Sequence, residues 1–234
     1  MRLVLWDIDG TLVSTGPHGR HAFVDAVTEL SGAPASLGDI SMSGRTDHSI
    51  ALEMLERNGV EGGEQRLPAM FDALHRALSD RREAIATDGR VMPGITEVLR
   101  ALGGRDDVIQ SLLTGNIEPN AHVKLGALGL ADLVDMEIGG YGSDSGIRPE
   151  LVDIARAKAR DVRGVDVAAA DTVLVGDTPL DVDAALRNGA RAVAVATGTF
   201  GVEELRATGA HAVLADLSDV GAALEAILGY ADRS

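Results

Sequence analysis

The sequence predicts an α/β fold, a doubly wound parallel sheet of the Rossmann-like type with an inserted all-helical cap subdomain. Short apolar runs alternate with helical patterns, as in βαβ units. About three helical patterns without a strand follow the first apolar run, whereas one parallel crossover normally needs a single helix. We therefore predict a core of residues 1–14 and 89–234 and a helical cap of residues 15–88.

Six apolar runs are the candidate strands of the core. All are short, and all except residues 134–138 are rich in Val, Leu, Ile or Ala, which is typical of strands that are buried on both faces. In chain order they are residues 3–6, 108–113, 134–138, 172–175, 192–196 and 212–214.

Three helical patterns make up the predicted cap. Residues 18–30 lead to a stop at Gly32, and residues 46–58 end at Gly59, as expected for a glycine that follows a helix. In the third pattern, apolar side chains recur on one helical face and predict a packed stripe. These side chains are Leu67, Met70, Phe71, Leu74 and Leu78.

Composition limits the possible functions. The chain has 234 residues, of which 45% are hydrophobic, so a packed core is expected. The net charge of −15 disfavours nucleic acid and anionic membranes as partners. An anionic substrate would therefore need a local positive site within this acidic protein.

Further functional classes are disfavoured because the sequence lacks the residues or segments that they need. Without cysteine there is no disulfide, thiolate metal site or cysteine nucleophile. The apolar start is interrupted at Asp7, which argues against a signal peptide, and no run approaches the about 20 apolar residues of a membrane span. We expect a cytoplasmic protein.

Polar residues follow four of the candidate strands directly or after a short loop. They are the segments 7–11, 114–116, 146–149 and 176–181. In an open parallel sheet, ligands bind outside the carboxyl ends of the strands. The four segments should therefore meet at one edge of the sheet.

The acidic residues of these segments predict a metal site. Asp7, Asp9, Asp177 and Asp181 would repel one another and raise each other's pKa if they were left alone in one crevice. A hard divalent cation relieves this repulsion, and Mg²⁺ prefers a few carboxylate oxygens together with water and phosphate.

The remaining polar residues suit a phosphate group. Thr114, Gly115 and Asn116 can donate hydrogen bonds to phosphate oxygens, and Arg148 supplies a fixed positive charge in a fork-shaped group. A carboxylate nucleophile, a cation, an anion clamp and a second carboxyl for proton transfer are what phosphoryl transfer requires.

These residues resemble the haloacid dehalogenase-like hydrolase superfamily, abbreviated HAD, along nearly the whole chain. Segment 7–11, with Asp-x-Asp-Gly-Thr, resembles its first motif, segment 113–116 its second and segment 176–181 its fourth. The predicted cap is similar to the type-1 cap of this family. The resemblance points to the phosphoglycolate phosphatase-like branch.

The resemblance implies a role for each matched residue. Asp7 would attack phosphorus and become an aspartyl phosphate, and Asp9 would act as acid and then as base. Mg²⁺ would be held by Asp7, the Asp9 backbone carbonyl and Asp177, with Asp181 in support. Thr114 would bind the transferring phosphoryl group.

The third motif departs from the family pattern, which has a lysine, often followed by proline. Here the matching pair is Arg148-Pro149. The rival is Lys124, one of two lysines in the chain, ten positions after Thr114. Along an unbroken helix this is about 15 Å, too far for contact, so we favour Arg148.

Two cap residues are candidate substrate contacts. The segment Ser43-Gly44-Arg45-Thr46-Asp47 resembles a stretch of some type-1 caps, where Arg45 could bind a substrate anion. The same segment is equally compatible with a turn in which Thr46 or Asp47 caps a helix. His18, near the exit from the core, is the second candidate, although lone histidines are more often structural.

The predicted function is Mg²⁺-dependent hydrolysis of a small phosphorylated metabolite, such as a phosphoglycolate-like substrate. A β-phosphoglucomutase-like phosphotransferase keeps the same motifs and stays open. Asp9 argues against a haloacid dehalogenase, and the lack of a cap lysine argues against a phosphonoacetaldehyde hydrolase. A non-catalytic phosphate-binding module would be expected to lose Asp7 or Asp9. No phosphate-binding P-loop is present.

Overall fold

A six-stranded sheet, parallel throughout, forms the centre of the computed structural model, which describes residues 1–229. The last residues of the predicted core lie outside this range. Strands are numbered along the chain. Across the sheet they are β5 (Gly140–Tyr141), β4 (Val108–Thr114), β1 (Arg2–Trp6), β6 (Thr172–Gly176), β7 (Arg191–Val195) and β8 (Ala212–Leu214).

One strand prediction is wrong. Residues 134–138 do not pair with the sheet, because Met136–Ile138 form a short 3₁₀-helix. The Asp135 carboxylate accepts a hydrogen bond from the Glu137 backbone amide at 3.2 Å, which favours this turn over an extended strand. The chain meets β4 only afterwards, in the two-residue strand β5.

Both faces of the sheet are covered by helices. Side chains of β1 alternate between two apolar clusters, so that Val4 and Trp6 face one layer and Leu3 and Leu5 the other. All four are fully buried. This two-sided burial confirms the doubly wound fold class. The core helices are α5 (Ile95–Gly103), α6 (Glu118–Ala127), α7 (Glu150–Arg163), α8 (Pro179–Arg187), α9 (Val202–Arg206) and α10 (Val220–Leu228).

The first four helices of the chain, together with Ile117, form a third apolar cluster. They are α1 (His18–Ser31), α2 (Asp47–Arg57), α3 (Leu67–Ser79) and α4 (Arg82–Asp88). The predicted stripe of α3 is buried in this cluster at Leu67, Met70, Leu74 and Leu78. The separate cluster supports the proposed division into core and cap.

A short antiparallel ribbon connects the core to these helices. Its strands are β2 (Val13–Ser14) and β3 (Arg90–Val91), which pair at the two ends of the cap segment. Neither this ribbon nor α4 was expected from the sequence, because two-residue strands and a seven-residue polar helix carry almost no periodic signal. Within residues 1–229, every helix falls short of the length and apolar character that crossing a bilayer demands.

Candidate active site

A cavity of about 350 Å³ lies between the carboxyl edge of the sheet and the cap helices. Asp7 follows β1, Thr114 ends β4 and Asp177 follows β6, so three parallel strands deliver polar residues to the same edge. The predicted core residues that line the cavity are Asp7, Asp9, Thr114, Gly115, Asn116, Arg148 and Asp177.

Three carboxylates are concentrated at the base of this cavity. One oxygen each of Asp7, Asp177 and Asp181 lies within 4.8 Å of the others, and all three residues are buried. Burial raises the pKa of Asp7 to about 7, with Arg148 opposing and Asp181 and Asp9 adding to the rise. Burial and the neighbouring Asp7 and Asp181 raise the pKa of Asp177 to about 8. The raised pKa values of Asp7 and Asp177 thus make full ionisation of the cluster unfavourable.

Arg148 is the cation within this cluster. Its Nη2 lies 2.8 Å from Asp7 Oδ1 and 2.6 Å from Asp181 Oδ1. Nε donates to the same Asp181 oxygen at 3.2 Å, and Nη1 donates to the Gly44 carbonyl of the cap at 3.1 Å. A lysine has a single nitrogen and could not span these three partners with the same geometry. Arg148 therefore places a fixed positive charge beside Asp7 and Asp181, and its role as the third motif stays a prediction.

Asp181 lies behind the cavity and supports the cluster. Its Oδ2 accepts hydrogen bonds from the Thr178 amide at 3.0 Å and hydroxyl at 2.7 Å, and Thr178 caps α8 in return. Because Arg148 occupies Oδ1, both oxygens of Asp181 have protein partners. Asp181 therefore holds Arg148 and Thr178 in place, whereas the resemblance implied support of the metal itself, and that role stays a prediction.

The surroundings of Asp177 fit a divalent cation. Thr11 donates to Asp177 Oδ1 at 3.1 Å, which turns the other oxygen toward Gly198. A Cβ atom on Gly198 would lie 1.7 Å from Asp177 Oδ2, so only glycine leaves this oxygen accessible. A hard cation could be held here by Asp7 and Asp177, the two members of the cluster that line the cavity.

Asp9 has a different environment from the cluster. Its side chain is 45% exposed, and its Oδ2 accepts hydrogen bonds from Asn116 Nδ2 at 2.8 Å and from Lys124 Nζ at 2.6 Å. Asn116 Nδ2 also lies 2.8 Å from Thr114 Oγ1. The second motif therefore contacts the second carboxylate of the first motif directly.

The expectation that Lys124 is too distant is wrong. The chain turns at residues 115–117, and α6 begins only at Glu118, so no unbroken helix separates Thr114 from Lys124. Packing of α6 directs the Lys124 side chain to the cavity, where it is 7% exposed. Both Lys124 and Arg148 reach the site, but they bind different carboxylates.

The cap segment around Arg45 packs directly on the core. The Asp47 amide donates to the Gly115 carbonyl at 2.6 Å, and the Asp47 carboxylate accepts from the Ile117 amide at 2.9 Å. A Cβ atom on Gly115 would lie 2.0 Å from the Arg45 carbonyl oxygen, so the close approach requires glycine. Burial raises the pKa of Asp47 to about 6, and Lys124 opposes the rise.

Of the two interpretations of this segment, the structure supports the helix-entry turn. Thr46 caps α2 by accepting from the Ser49 amide at 3.2 Å. The Arg45 guanidinium contacts Glu53 at 2.6 Å and the Ser49 carbonyl at 3.0 Å. Arg45 borders the cavity, but these partners within the cap use its donors, so its suggested grip on a substrate anion is not supported.

The suggestion that His18 contacts substrate is also corrected. His18 is buried and is not among the residues that line the cavity. Its Nε2 lies 3.0 Å from Asp88 Oδ2, at the other end of the cap segment. The residue thus joins the beginning of α1 to the end of α4, which is a structural role.

Several cavity residues were not predicted as site residues. Asp47 and Arg20 line the cavity from the cap, and Thr11, which is buried below the cavity lining, supports Asp177 from within the first motif. Only Thr11 could have been found from the sequence, because it lies inside a matched motif. The others depend on how the cap helices pack over the sheet.

The family model for haloacid dehalogenase-like hydrolases matches residues 4–186 of this chain. The chain belongs to this family. The HAD motifs that were inferred from residues 7–11, 113–116 and 176–181 all lie inside the matched region. The predictions of an enzyme, of a hydrolase and of its family are therefore confirmed.

Individual relatives agree with this assignment. The HAD chain is 28% identical over 235 residues to a probable phosphatase, IndB, of Dickeya dadantii (strain 3937), covering 97% of this chain and 94% of the relative. A hydrolase structure from Pseudomonas syringae is 21% identical, with a TM-score of 0.67 over 97% of this chain and 99% of that one.

Two further solved structures share the fold at lower identity. A predicted phosphoglycolate phosphatase from Haemophilus somnus 129pt is 18% identical, with a TM-score of 0.63 over 95% of this chain and 97% of that one. A candidate β-phosphoglucomutase from Bacteroides vulgatus is 20% identical, with a TM-score of 0.67 over 97% of this chain and 89% of that one. The fold is thus common to proteins with different names.

Proposed function

We propose that this HAD hydrolase is a Mg²⁺-dependent phosphatase that acts on a small phosphomonoester through Asp7. The observation that carries the proposal is that the two carboxylates of the first motif have different environments. Asp7 is buried beside Asp177 and 2.8 Å from Arg148, whereas Asp9 is half exposed to the cavity. The phosphatase relative, IndB, supports the same reaction class.

The proposed reaction has two steps. An oxygen of Asp7 attacks phosphorus, the bond from phosphorus to the ester oxygen breaks, and Asp9 gives its proton to the leaving oxygen. Asp9 then takes a proton from water, whose oxygen attacks phosphorus, and the bond from phosphorus to the Asp7 oxygen breaks, so that inorganic phosphate is released and the Asp7 carboxylate is regenerated. When bound, the cation would neutralise the buried carboxylates and the phosphate oxygens. Thr114 and Arg148 would hold phosphate oxygens in line with Asp7.

Binding of Mg²⁺ should stabilise the protein more at pH 8 than at pH 6. Because the pKa values of Asp7 and Asp177 are raised above the usual 3.8, to about 7 and about 8, ionising them weakens the cation-free fold as pH rises. A cation needs the ionised form, so protons compete with it at pH 6. We expect saturating Mg²⁺ to raise the thermal midpoint by roughly 5–10 °C at pH 8 and clearly less at pH 6.

The matched control for this measurement is Asp177→Asn, which keeps the shape of the side chain but removes the negative charge of a proposed ligand. Its thermal midpoint should no longer depend on Mg²⁺ at either pH. A midpoint that rises equally at both pH values, or a variant that responds as the wild type does, would contradict the proposed cation site.

The charges around the cavity support a substrate with a second anionic group. Four cationic side chains line it, and three have carboxylate partners: Arg45 with Glu53, Lys124 with Asp9, and Arg148 with Asp7. The fourth, Arg20, forms no ion pair with any residue in the range 1–229 and is exposed. A carboxylate near the phosphate, as in phosphoglycolate, would complement it.

A panel of phosphomonoesters tests both the activity and this specificity. The wild type should release phosphate in Mg²⁺ but not in EDTA, with a lower KM for 2-phosphoglycolate than for ethyl phosphate. Arg20→Ala should raise KM for 2-phosphoglycolate about tenfold, since a charged hydrogen bond contributes roughly 1.5 kcal/mol, and should leave ethyl phosphate unchanged.

Arg160→Ala is the control, because Arg160 pairs with Asp161 on α7 and does not line the cavity. Equal changes in KM for both esters would contradict the role of Arg20. Little phosphate release together with a requirement for a bisphosphate activator would favour the phosphomutase alternative.

A further inference from the structure

Lys124 is a buried cation to which the proposed reaction gives no role. Its side chain is 7% exposed, and its Nζ is 2.6 Å from Asp9 Oδ2. It lies outside the three matched motifs, at the boundary between core and cap, because a Cβ atom on Gly19 of α1 would be 4.0 Å from Nζ. A buried ammonium needs a partner, and here the partner is the carboxyl proposed as the acid and base.

The two carboxylate oxygens of Asp9 have different contacts. Oδ2 accepts from Lys124 Nζ and from Asn116 Nδ2. Oδ1 forms neither a hydrogen bond nor an ion pair with residues 1–229. Lysine and the amide nitrogen of asparagine are donors only, so an oxygen that faces both of them cannot carry a proton itself.

These different contacts determine which carboxylate oxygen of Asp9 can carry a proton. A protonated carboxyl keeps one acceptor oxygen and carries its proton on the other. With Oδ2 held as the acceptor, the proton must be on Oδ1, the oxygen that is left for the cavity. A carboxyl that was free to rotate would present the proton to the leaving oxygen only part of the time.

We infer that Lys124 is a positioning residue for the acid step: together with Asn116 it holds Asp9 Oδ2, so that Oδ1 delivers the proton to the leaving-group oxygen. This inference rests on the proposed function. As the bond from phosphorus to the ester oxygen breaks, its electron pair goes to that oxygen, and the proton on Asp9 Oδ1 is transferred there. Lys124 touches neither the phosphorus nor the leaving group.

The inference predicts a dependence on the leaving group. An alkyl phosphate such as ethyl phosphate releases a strongly basic alkoxide and needs the proton, whereas 2,4-dinitrophenyl phosphate releases a stable phenolate and does not. Lys124→Met should therefore lower kcat about a hundredfold for ethyl phosphate and less than about threefold for 2,4-dinitrophenyl phosphate. Asp9→Asn should have the same pattern with a larger effect.

Lys158→Met is the matched control, because Lys158 is the other lysine of the chain and contacts Asp144 and the Gly139 carbonyl instead. It should change kcat for the two esters by the same small factor. Lys124→Arg should restore much of the ethyl phosphate rate, since it keeps a charged donor. If Lys124→Met does not fold, Lys124→Arg and Lys124→Gln supply the comparison, with a larger selective loss for the neutral variant.

The outcomes separate this inference from the proposed function. Wild-type hydrolysis of both esters, with equal losses for both in Lys124→Met, would overturn the positioning role and leave the phosphatase intact. Unchanged rates in that variant would overturn it as well. A wild type that hydrolyses neither ester in Mg²⁺ would overturn the proposed function, and the inference with it.

Discussion

Replacing Asp7 with asparagine should lower phosphate release by at least about a thousandfold, because the variant lacks the carboxylate that would attack phosphorus. An amide is a very poor nucleophile, and the other two carboxylates of the buried cluster are held by protein partners. Asp177 is held by Thr11, and Asp181 has protein partners on both oxygens. The fold should survive, because Arg148 keeps its contact with Asp181.

Phosphate release from p-nitrophenyl phosphate, circular dichroism and thermal unfolding together test this expectation. Rapid acid quenching of the wild type should trap a protein-bound phosphate that hydroxylamine removes, and Asp7→Asn should trap none. Asp183→Asn is a matched control, since Asp183 pairs with Arg187 on the surface of α8 and should behave like the wild type. Normal hydrolysis by Asp7→Asn would sink the proposed mechanism.

Removal of the Arg148 side chain should have the second-largest effect, on both activity and stability. Arg148→Ala leaves Asp7 and Asp181 buried without their shared cation, and breaking a buried pair from one side costs roughly 3–5 kcal/mol. It also removes the link to the Gly44 carbonyl of the cap. We expect kcat/KM to fall about a hundredfold or more, since the fixed charge for the phosphate is lost.

Arg148→Lys separates charge from geometry. It keeps the positive charge but cannot bridge Asp7, Asp181 and Gly44 together, so its kcat/KM and thermal midpoint should lie between those of the wild type and Arg148→Ala. Arg187→Ala, which removes an exposed ion pair, should change stability by at most about 1 kcal/mol.

Lys124→Ala is the informative comparison for the ranking of the two cations. With p-nitrophenyl phosphate, whose leaving group needs little protonation, Arg148→Ala should be far more damaging than Lys124→Ala. The opposite ranking would assign the function of the third motif to Lys124.

Local patterns were enough to predict most of the sheet and most of the acidic site. Three apolar runs that end in polar residues place those residues at one edge, because parallel strands share their direction. The strand prediction at 134–138 failed for a local reason, since Asp135 stabilises a turn where the apolar content favours a strand. The pairing of β5 covers two residues and carries no pattern to detect.

The partners of the charged side chains were harder to predict. Asp9 and Lys124 are 115 positions apart, and their contact depends on where α6 begins and how it packs. Arg45 and His18 matched the type of residue that binds anions, but Glu53 and Asp88 pair with them inside the cap. Residue type and spacing do not reveal which acid is nearest to a given base.

The sequence by itself therefore determined the order of the motifs, the parallel sheet and the identity of the acidic residues at its edge. These features follow from periodicity and strand direction, which are local properties of the chain. Only the tertiary structure decided that Arg148 forms ion pairs with Asp7 and Asp181 while Lys124 forms one with Asp9. The physical reason is that a charged hydrogen bond requires donor and acceptor within about 3 Å, and that distance depends on the packing of whole helices.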